Sequence, residues 1–430
     1  MSVLPRLLGI CVVVCACSPA LVLAGQSDTD HVAAIRQLAA RPDVRQALDL
    51  IPGLESDAEA DLIELTEIAA PPFQESARAS RFAEMLEGAG LSDVSIDEVG
   101  NVLARRRGSG TGETVAIVAH LDTVFPAGTD VTVRRRNDRL YAPGIGDDTR
   151  GLVLLLNVAR ALGRGGVRTR ADILFVGSVG EEGLGDLRGV RHLFRRGGPR
   201  VDQLIAIDGG SDSRVVNQAL GSRRYRVTVT GPGGHSWGDF GLANPVHALG
   251  RAIHYFDEAA AVIVKTEPAA SYNVGRLGGG TSVNAVPHES WAEIDIRSVD
   301  PVQVDRIESA LREAMTRALD QQNRARDRGD VLRAAFELIG DRPSGTVAAQ
   351  TALVQRALAV TRMLGFAPQL GAASTDANVP IAQGLPAVTL GRGGSGGGAH
   401  ALNEWWAPHD AHIAVQRALL VLVASAGVAD

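Results

Sequence analysis

Two histidines, a scatter of acids and the apolar runs that precede them carry the chemistry legible in this 430-residue chain. His120 and Asp122 follow the apolar run 115–119, Glu181 and Glu182 follow 173–179, and Asp208 follows 204–207. His400 follows a glycine-rich stretch, 391–398, that itself follows the run 387–390; Asp147 and Asp148 sit in a turn just ahead of an apolar segment. Imidazole nitrogens and carboxylate oxygens are ligands for divalent cations. Taken singly these features are weak, because His-x-Asp arises by chance in long chains and paired acids mostly belong to solvated surface. Their placement resists the surface reading: an unpaired carboxylate at the end of a buried strand carries a heavy desolvation cost. Divalent cations would remove it.

For these residues to meet, the segments that carry them must lie side by side. The runs 114–119, 173–179, 204–207 and 387–390 are short, β-rich and almost uninterrupted, as in strands buried on both faces of a mostly parallel sheet. Helical stretches such as 151–162 alternate with them and would cover the sheet. The carboxyl ends of strands in such sheets form the binding crevice, so side chains distant in sequence can converge there. Upstream, Leu62, Leu65 and Ile68 fall at helical spacing, Pro71-Pro72 breaks the run, and 78–89 resumes it.

A different texture begins near Arg223. The segments 225–230 and 292–297 alternate apolar and polar residues, the pattern of half-exposed antiparallel strands. Two amphipathic helices are expected over 245–259 and 302–319, the second with Val304, Ile307, Leu311, Met315 and Leu319 along one face. The fold class expected is therefore α/β, a mostly parallel central sheet flanked by helices, with an inserted α+β domain of strand-helix-strand-strand-helix-strand order. The expected division is a signal peptide over 1–24, a catalytic domain over 25–221 and 341–430, and the insertion over 222–340.

Composition narrows the function classes. A formal net charge of −6 gives no electrostatic ground for nucleic acid or an anionic membrane as partner, which leaves small-molecule chemistry. Arg6, the apolar run 7–16 and the exit Val22-Leu23-Ala24 read as a secretory leader, too short and too broken by Ser18 and Pro19 for a membrane span. Export to the periplasm or the exterior is expected. All three cysteines, Cys11, Cys15 and Cys17, fall in that leader, so a mature chain would rely on its core and on bound metal instead of disulfides. Val14-Cys15-Ala16-Cys17 also resembles a lipobox, which would make Cys17 a lipid anchor; the plainer alternative is apolar leader residues.

Five motifs in order resemble the M20 metallopeptidases, a family that includes glutamate carboxypeptidase, peptidase T and acetylornithine deacetylase. They are Ala119-His120-Leu121-Asp122-Thr123-Val124, Gly144-Ile145-Gly146-Asp147-Asp148, Gly180-Glu181-Glu182-Gly183, Asp208-Gly209-Gly210, and Gly398-Ala399-His400-Ala401-Leu402-Asn403-Glu404. The resemblance implies a zinc-exopeptidase-like fold and two Zn2+ per subunit, with Mn2+ or Co2+ compatible with the same ligand types. Asp147 would bridge the ions, with His120 and Asp208 completing one site and Glu182 and His400 the other. Asp122 would fix the His120 tautomer from behind. Glu181, spared from binding metal, would be the general base toward a metal-bridging water that attacks an amide.

The insertion also matches. Gly231-Pro232-Gly233-Gly234-His235-Ser236 resembles the family's lid histidine, which implies that His235 steadies a developing oxyanion across a homodimer interface formed by the inserted domain. Asn284 and Arg297 fall where relatives contact substrate, and a guanidinium suits a carboxylate. A turn histidine and a strand-surface charge are the plain alternatives for His235 and Arg297. One departure is Thr149-Arg150-Gly151, where many relatives carry a lysine after the acid pair. The implied activity is an exopeptidase or dipeptidase acting on a small peptide; the alternatives are a deacylase of N-acyl amino acids and a non-catalytic binding protein. Glu181 argues against the last, since binding alone has no chemical use for a base beside a full ligand set. Gly177-Ser178-Val179-Gly180 lacks a nucleophile-elbow pattern, which disfavours a serine hydrolase.

Overall fold

The structure is a computed structural model that describes residues 28–110 and 112–429; the expected leader over 1–24, with Cys17, lies outside the described residues. The main sheet runs in the order Asp93–Ile96, Val102–Arg106, Asp172–Ser178, Thr114–His120, Gln203–Ile207, Ala387–Leu390, Arg214–Ala219 and Gly345–Thr346, with Gln369–Ala373 also paired to Arg214–Ala219. Its centre is parallel: Asp172–Ser178, Thr114–His120, Gln203–Ile207 and Ala387–Leu390 all run one way. Antiparallel pairs appear toward the edges. The strand Thr114–His120 is buried at every position, which explains its unbroken apolar sequence, since helices cover both faces. One of these helices, Arg150–Arg164, buries nearly every side chain from 150 to 162, and another, Ala411–Ala426, packs near it at the end of the chain.

A second, four-stranded sheet is antiparallel throughout, in the order Ala270–Gly279, Glu289–Ser298, Gly221–Thr230, Arg333–Arg342. Strict alternation of buried and less buried residues along Glu289–Ser298 shows why period two was visible there: one face is covered and the other is not. The covering helices are Pro245–Ile263 and Pro301–Arg324, each begun by an acceptor side chain followed by proline. Asn244 Oδ1 accepts from the Val246 N–H at 2.9 Å and Asp300 Oδ1 from the Val302 N–H at 2.9 Å. Val227, Phe256, Ile294, Ile307 and Leu311 form a core of their own beneath these helices. The strands of this sheet reach from Gly221 to Arg342, slightly beyond the stretch marked by the hydrophobic alternation, because Gly221, Ser222, Asp341 and Arg342 carry no apolar period. Among the described residues no helix is long and apolar enough to cross a membrane.

Leu155, fully buried in the helix Arg150–Arg164, tests the burial that holds the main sheet. Leu155→Ala is expected to lower unfolding free energy by about 2–5 kcal/mol through lost transfer energy and the cavity left behind. Leu277→Ala, at a side chain 66% exposed, should stay within about 0.5 kcal/mol of the parent in the same denaturant titration.

Candidate metal centre

Parallel register brings four strand ends to one edge of the main sheet. His120 stands opposite Ser178, Val118 opposite Ala206, and Leu390 opposite Ile207. The next residue after Ile207 is Asp208, whose N–H donates to the Leu390 carbonyl at 2.9 Å. Glu181 and Glu182 leave the turn after Ser178, and His400 returns from the loop beyond Leu390. Asp147 comes from the turn preceding the helix Arg150–Arg164.

Asp147 sits at the middle of this group. Its Oδ1 is 3.3 Å from His120 Nε2 and its Oδ2 is 3.3 Å from His400 Nε2, so each carboxylate oxygen faces a different imidazole. Donor atoms of His120, Asp147 and Asp208 lie within 4.8 Å of one another, and so do those of Asp147, Glu182 and His400. His400 Nε2 is 2.9 Å from Glu182 Oε1. Donor atoms of His120, Glu181 and Glu182 also lie within 4.8 Å of one another, which places Glu181 beside both halves. Among the described residues, then, the structure gathers His120, Asp147, Glu182, Asp208 and His400, with Glu181 adjoining.

The supports around this group are built from backbone and buried charge. His120 Nδ1 lies 3.0 Å from the Asp122 backbone carbonyl, which can only accept; the ring proton therefore sits on Nδ1 in the neutral tautomer and Nε2 presents its lone pair toward Asp147. The Asp122 carboxylate does something else. Its Oδ1 is 3.7 Å from the ring and accepts the Glu181 N–H at 3.0 Å, while Oδ2 accepts the Glu182 N–H at 2.8 Å. Asp122 thus ties the ring by its carbonyl and the Glu181-Glu182 turn by its side chain. Asp148 Oδ2 accepts the His120 N–H at 3.2 Å, and a Cβ on Gly151 would stand 2.3 Å from Asp148 Oδ1, so glycine is what lets this carboxylate lie against the helix start. Arg150, the departure noted in sequence, is fully buried and turned onto the Trp406 ring, 5.1 Å from its centroid.

The electrostatics follow from burying so many acids together. Burial raises the pKa of Asp208, and raises those of Asp148 and Glu181 well above the ordinary carboxylate range, the last in spite of the Arg342 guanidinium beside it. Burial works in the same direction on Asp147, but His120 and His400 against its two oxygens, with Arg392, hold it well below the usual value. The same contacts act on the histidines. Asp147 and Glu182 push His400 up to about 10. Burial opposes a proton on His120, yet Asp147, Asp148, Glu181 and Asp122 keep its pKa well above that of a free imidazole. A cluster that draws protons onto both of its imidazoles is one that attracts positive charge.

Residues 116–424 match the family model for peptidase family M20/M25/M40. The chain belongs to that family. Carboxypeptidase G2 of Pseudomonas sp. (strain RS-16) is 27% identical over 140 residues, a match that spans 32% of this chain and about a third, 33%, of that relative. Among solved structures, aminopeptidase PepT from Bacillus cereus ATCC 10987 superposes with a TM-score of 0.70 at 18% identity, covering 87% of this chain and 99% of its own. The di-peptidase Dug1p from Saccharomyces cerevisiae gives 0.69 at 16% identity, covering 89% and 98%. These likenesses establish the M20 fold, and family membership makes the chain a hydrolase of the peptidase and amidohydrolase type.

A cleft of about 420 Å³ opens over the M20 site, lined among others by Asp147, Glu181, Glu182, Asp208, His400 and Arg297. His235 and Asn284 are not among its lining residues. They lie together at a separate two-stranded ladder beyond the ends of Gly221–Thr230 and Glu289–Ser298, where His235 pairs with Ala285 and the Ser236 N–H donates to the Asn284 carbonyl at 2.9 Å. Both are exposed. Three further residues at the site escaped the sequence reading. Arg342 Nη1 donates to Glu181 Oε1 at 3.0 Å, and its Nη2 to the Glu181 carbonyl. Arg392 Nη1 reaches Asp147 Oδ1 at 3.3 Å. Glu404, 1% exposed, accepts three backbone N–H groups, from Gly144 at 2.8 Å, Gly146 at 3.0 Å and Asp147 at 2.8 Å. Arg392 had a signal, being the one charged residue in the glycine stretch; Glu404 stood inside a quoted motif; Arg342, at a strand end, looks like surface charge.

Glu404 therefore fixes the turn that aims Asp147. Glu404→Ala leaves three N–H donors without their acceptor and is expected to cost at least about 3 kcal/mol of stability by denaturant titration. Because Asp147 loses its anchor, affinity for Zn2+ measured by competition with a chromogenic chelator should fall by about 10–100-fold.

Proposed function

We propose that this M20-family chain is an exopeptidase or dipeptidase that cleaves an amide bond of a small peptide with two divalent cations, zinc by donor type, and with Glu181 as general base. The observation that carries this reading is the division of Asp147, one oxygen toward His120 and the other toward His400. The residues fit the ions. His120 Nε2 is buried with no hydrogen-bond partner, and each half offers one imidazole and two carboxylates. His120 and Asp208 would hold one cation, Glu182 and His400 the other, and Asp147 both. Bound there, the cations would acidify a water and polarise the scissile carbonyl.

Glu181 supplies the proton handling. Burial lifts its pKa well above the ordinary range, so its carboxylate can take a proton and hold it for return to the leaving amine. Arg342 grips both Oε1 and the backbone carbonyl of Glu181, which fixes where the base points. At the substrate end, Arg297 and Arg224 share one carboxylate, Asp295, at 2.6 and 3.0 Å. Two guanidinium charges against one acid leave a positive charge in the cleft, suited to a substrate carboxylate.

The oxyanion role of His235 belongs to the same proposal and requires a second copy of the chain. The Trp237 and Gly238 N–H groups both donate to His235 Nδ1 at 3.1 Å, so in the neutral ring the proton is on Nε2, a donor left for another partner. Trp237, Phe240 and Val283, 88%, 83% and 102% exposed, supply apolar surface at this tip of the second sheet. Export, proposed on the leader alone, would place the reaction outside the cytoplasm.

Glu181→Gln should retain both cations by elemental analysis while kcat on dipeptides and tripeptides falls by about 10²–10⁴-fold. Near-parent turnover would remove Glu181 as base. N-acyl amino acids in the same assay separate a peptidase from a deacylase by the ratio of kcat/KM. Mixing Glu181→Gln with His235→Ala, each nearly inactive alone, should restore up to about a quarter of parent activity, since one site of a mixed dimer then has both residues intact. No recovery in a sample shown to exchange subunits would place His235 outside the reaction.

A further inference from the structure

The two cation positions have matching donors, an imidazole, a carboxylate of their own and one oxygen of Asp147, so ligand chemistry alone would give them similar affinities. Their surroundings differ. Arg392 Nη1 lies 3.3 Å from Asp147 Oδ1, the oxygen facing His120, 3.6 Å from Asp208 Oδ1 and 3.9 Å from Asp148 Oδ1. Among the described residues Glu182, the acid particular to the other half, has no arginine in ion-pair contact, and the Arg342 guanidinium acts on it only from farther away. The guanidinium is set in place. Arg392 is 9% exposed, its N–H donates to the Gly209 carbonyl at 2.9 Å, and Nη2 lies under Gly146, where an added Cβ would come within 3.4 Å. It does not line the cleft, so it acts on the ligands and not on the substrate.

We propose that Arg392 makes the two positions unequal, so that the one built from His120, Asp208 and Asp147 Oδ1 holds its cation more weakly than the one built from Glu182, His400 and Asp147 Oδ2. This rests on the two-cation reading. With no cation in that half, the guanidinium balances three carboxylates; once a cation binds, it is a like charge beside two of the same carboxylates. One effect opposes this. His120 is buried and tied at Nδ1, whereas the His400 side chain is 55% exposed at the end of a glycine stretch and must be ordered on binding. Ordering one side chain is the smaller effect, because a fixed charge in a buried site is barely screened by salt. Arg392 is a positioning residue for the carboxylates and a brake on the second ion.

The test is calorimetric titration of the metal-stripped full chain with Zn2+. The wild type should take two ions in steps whose Kd values differ by about tenfold or more. His400→Ala should abolish the tighter step and His120→Ala the weaker. Arg392→Gln should bring the steps to within about threefold of each other, whereas Arg392→Lys, which keeps the charge, should preserve the gap. Circular dichroism establishes that each variant is folded; if Arg392→Gln is not, the two histidine variants still decide which position is tighter. A single affinity for both ions in the wild type, loss of the tighter step in His120→Ala, or an unchanged gap in folded Arg392→Gln would overturn the proposal while leaving the two-cation reading intact. Uptake of fewer than two ions by the wild type would overturn both.

Discussion

Crowded negative charge at the strand ends is the constraint on which the rest of this structure depends. Asp122, Asp147, Asp148, Glu181, Glu182, Asp208 and Glu404 are all drawn toward one edge of the sheet, most of them buried. Each acid has a different resolution. Asp122 and Glu404 are absorbed by backbone N–H groups, Glu181 by Arg342, and Asp148 by the His120 N–H and its neighbour Arg392. Asp147, Asp208 and Glu182 face the imidazoles, the first two with Arg392 also alongside. Peptide N–H groups and Arg342 absorb the charge of the scaffold acids, and the acids that face the imidazoles are the ones on which the two-cation proposal rests.

Holding that charge in place requires a frame that does not yield. Parallel strands buried on both faces, with the helix Arg150–Arg164 packed against them, leave little freedom at His120, Ser178, Ile207 and Leu390. Glycines then admit the close approaches that the acids demand. A Cβ at Gly151 would meet Asp148 Oδ1 at 2.3 Å, and one at Gly391 would meet the Ser211 carbonyl at 2.4 Å. The second sheet has its own core and contributes Arg297 and Arg224 to the cleft, while His235 and Asn284 remain at its tip. The acid cluster and these two cleft arginines thus come from separate sheets.

Much of this was visible in the sequence because it depends on local pattern. Uninterrupted apolar runs ending in His, Asp or Glu identify both the buried strands and the edge at which they stop, and alternation over 292–297 marks the exposed sheet. What stayed hidden depends on how long side chains travel through space. Arg392 and Arg342 act at distances of 245 and 161 positions along the chain from Asp147 and Glu181, and nothing in a local window encodes those reaches. The role of Asp122 divided between carbonyl and carboxylate for the same reason, since motif spacing places a residue but not its atoms. Arg297 was closer to legible: Asp295 precedes it by two on the same strand face, the spacing at which side chains are neighbours.

The most direct measurement of the central claim is anomalous diffraction from crystals of the zinc-loaded protein, recorded on either side of the zinc absorption edge. The account requires two peaks per chain, about 3.5–4 Å apart, one on each side of Asp147. A single peak, or peaks centred away from His120, Asp147 and His400, would contradict it.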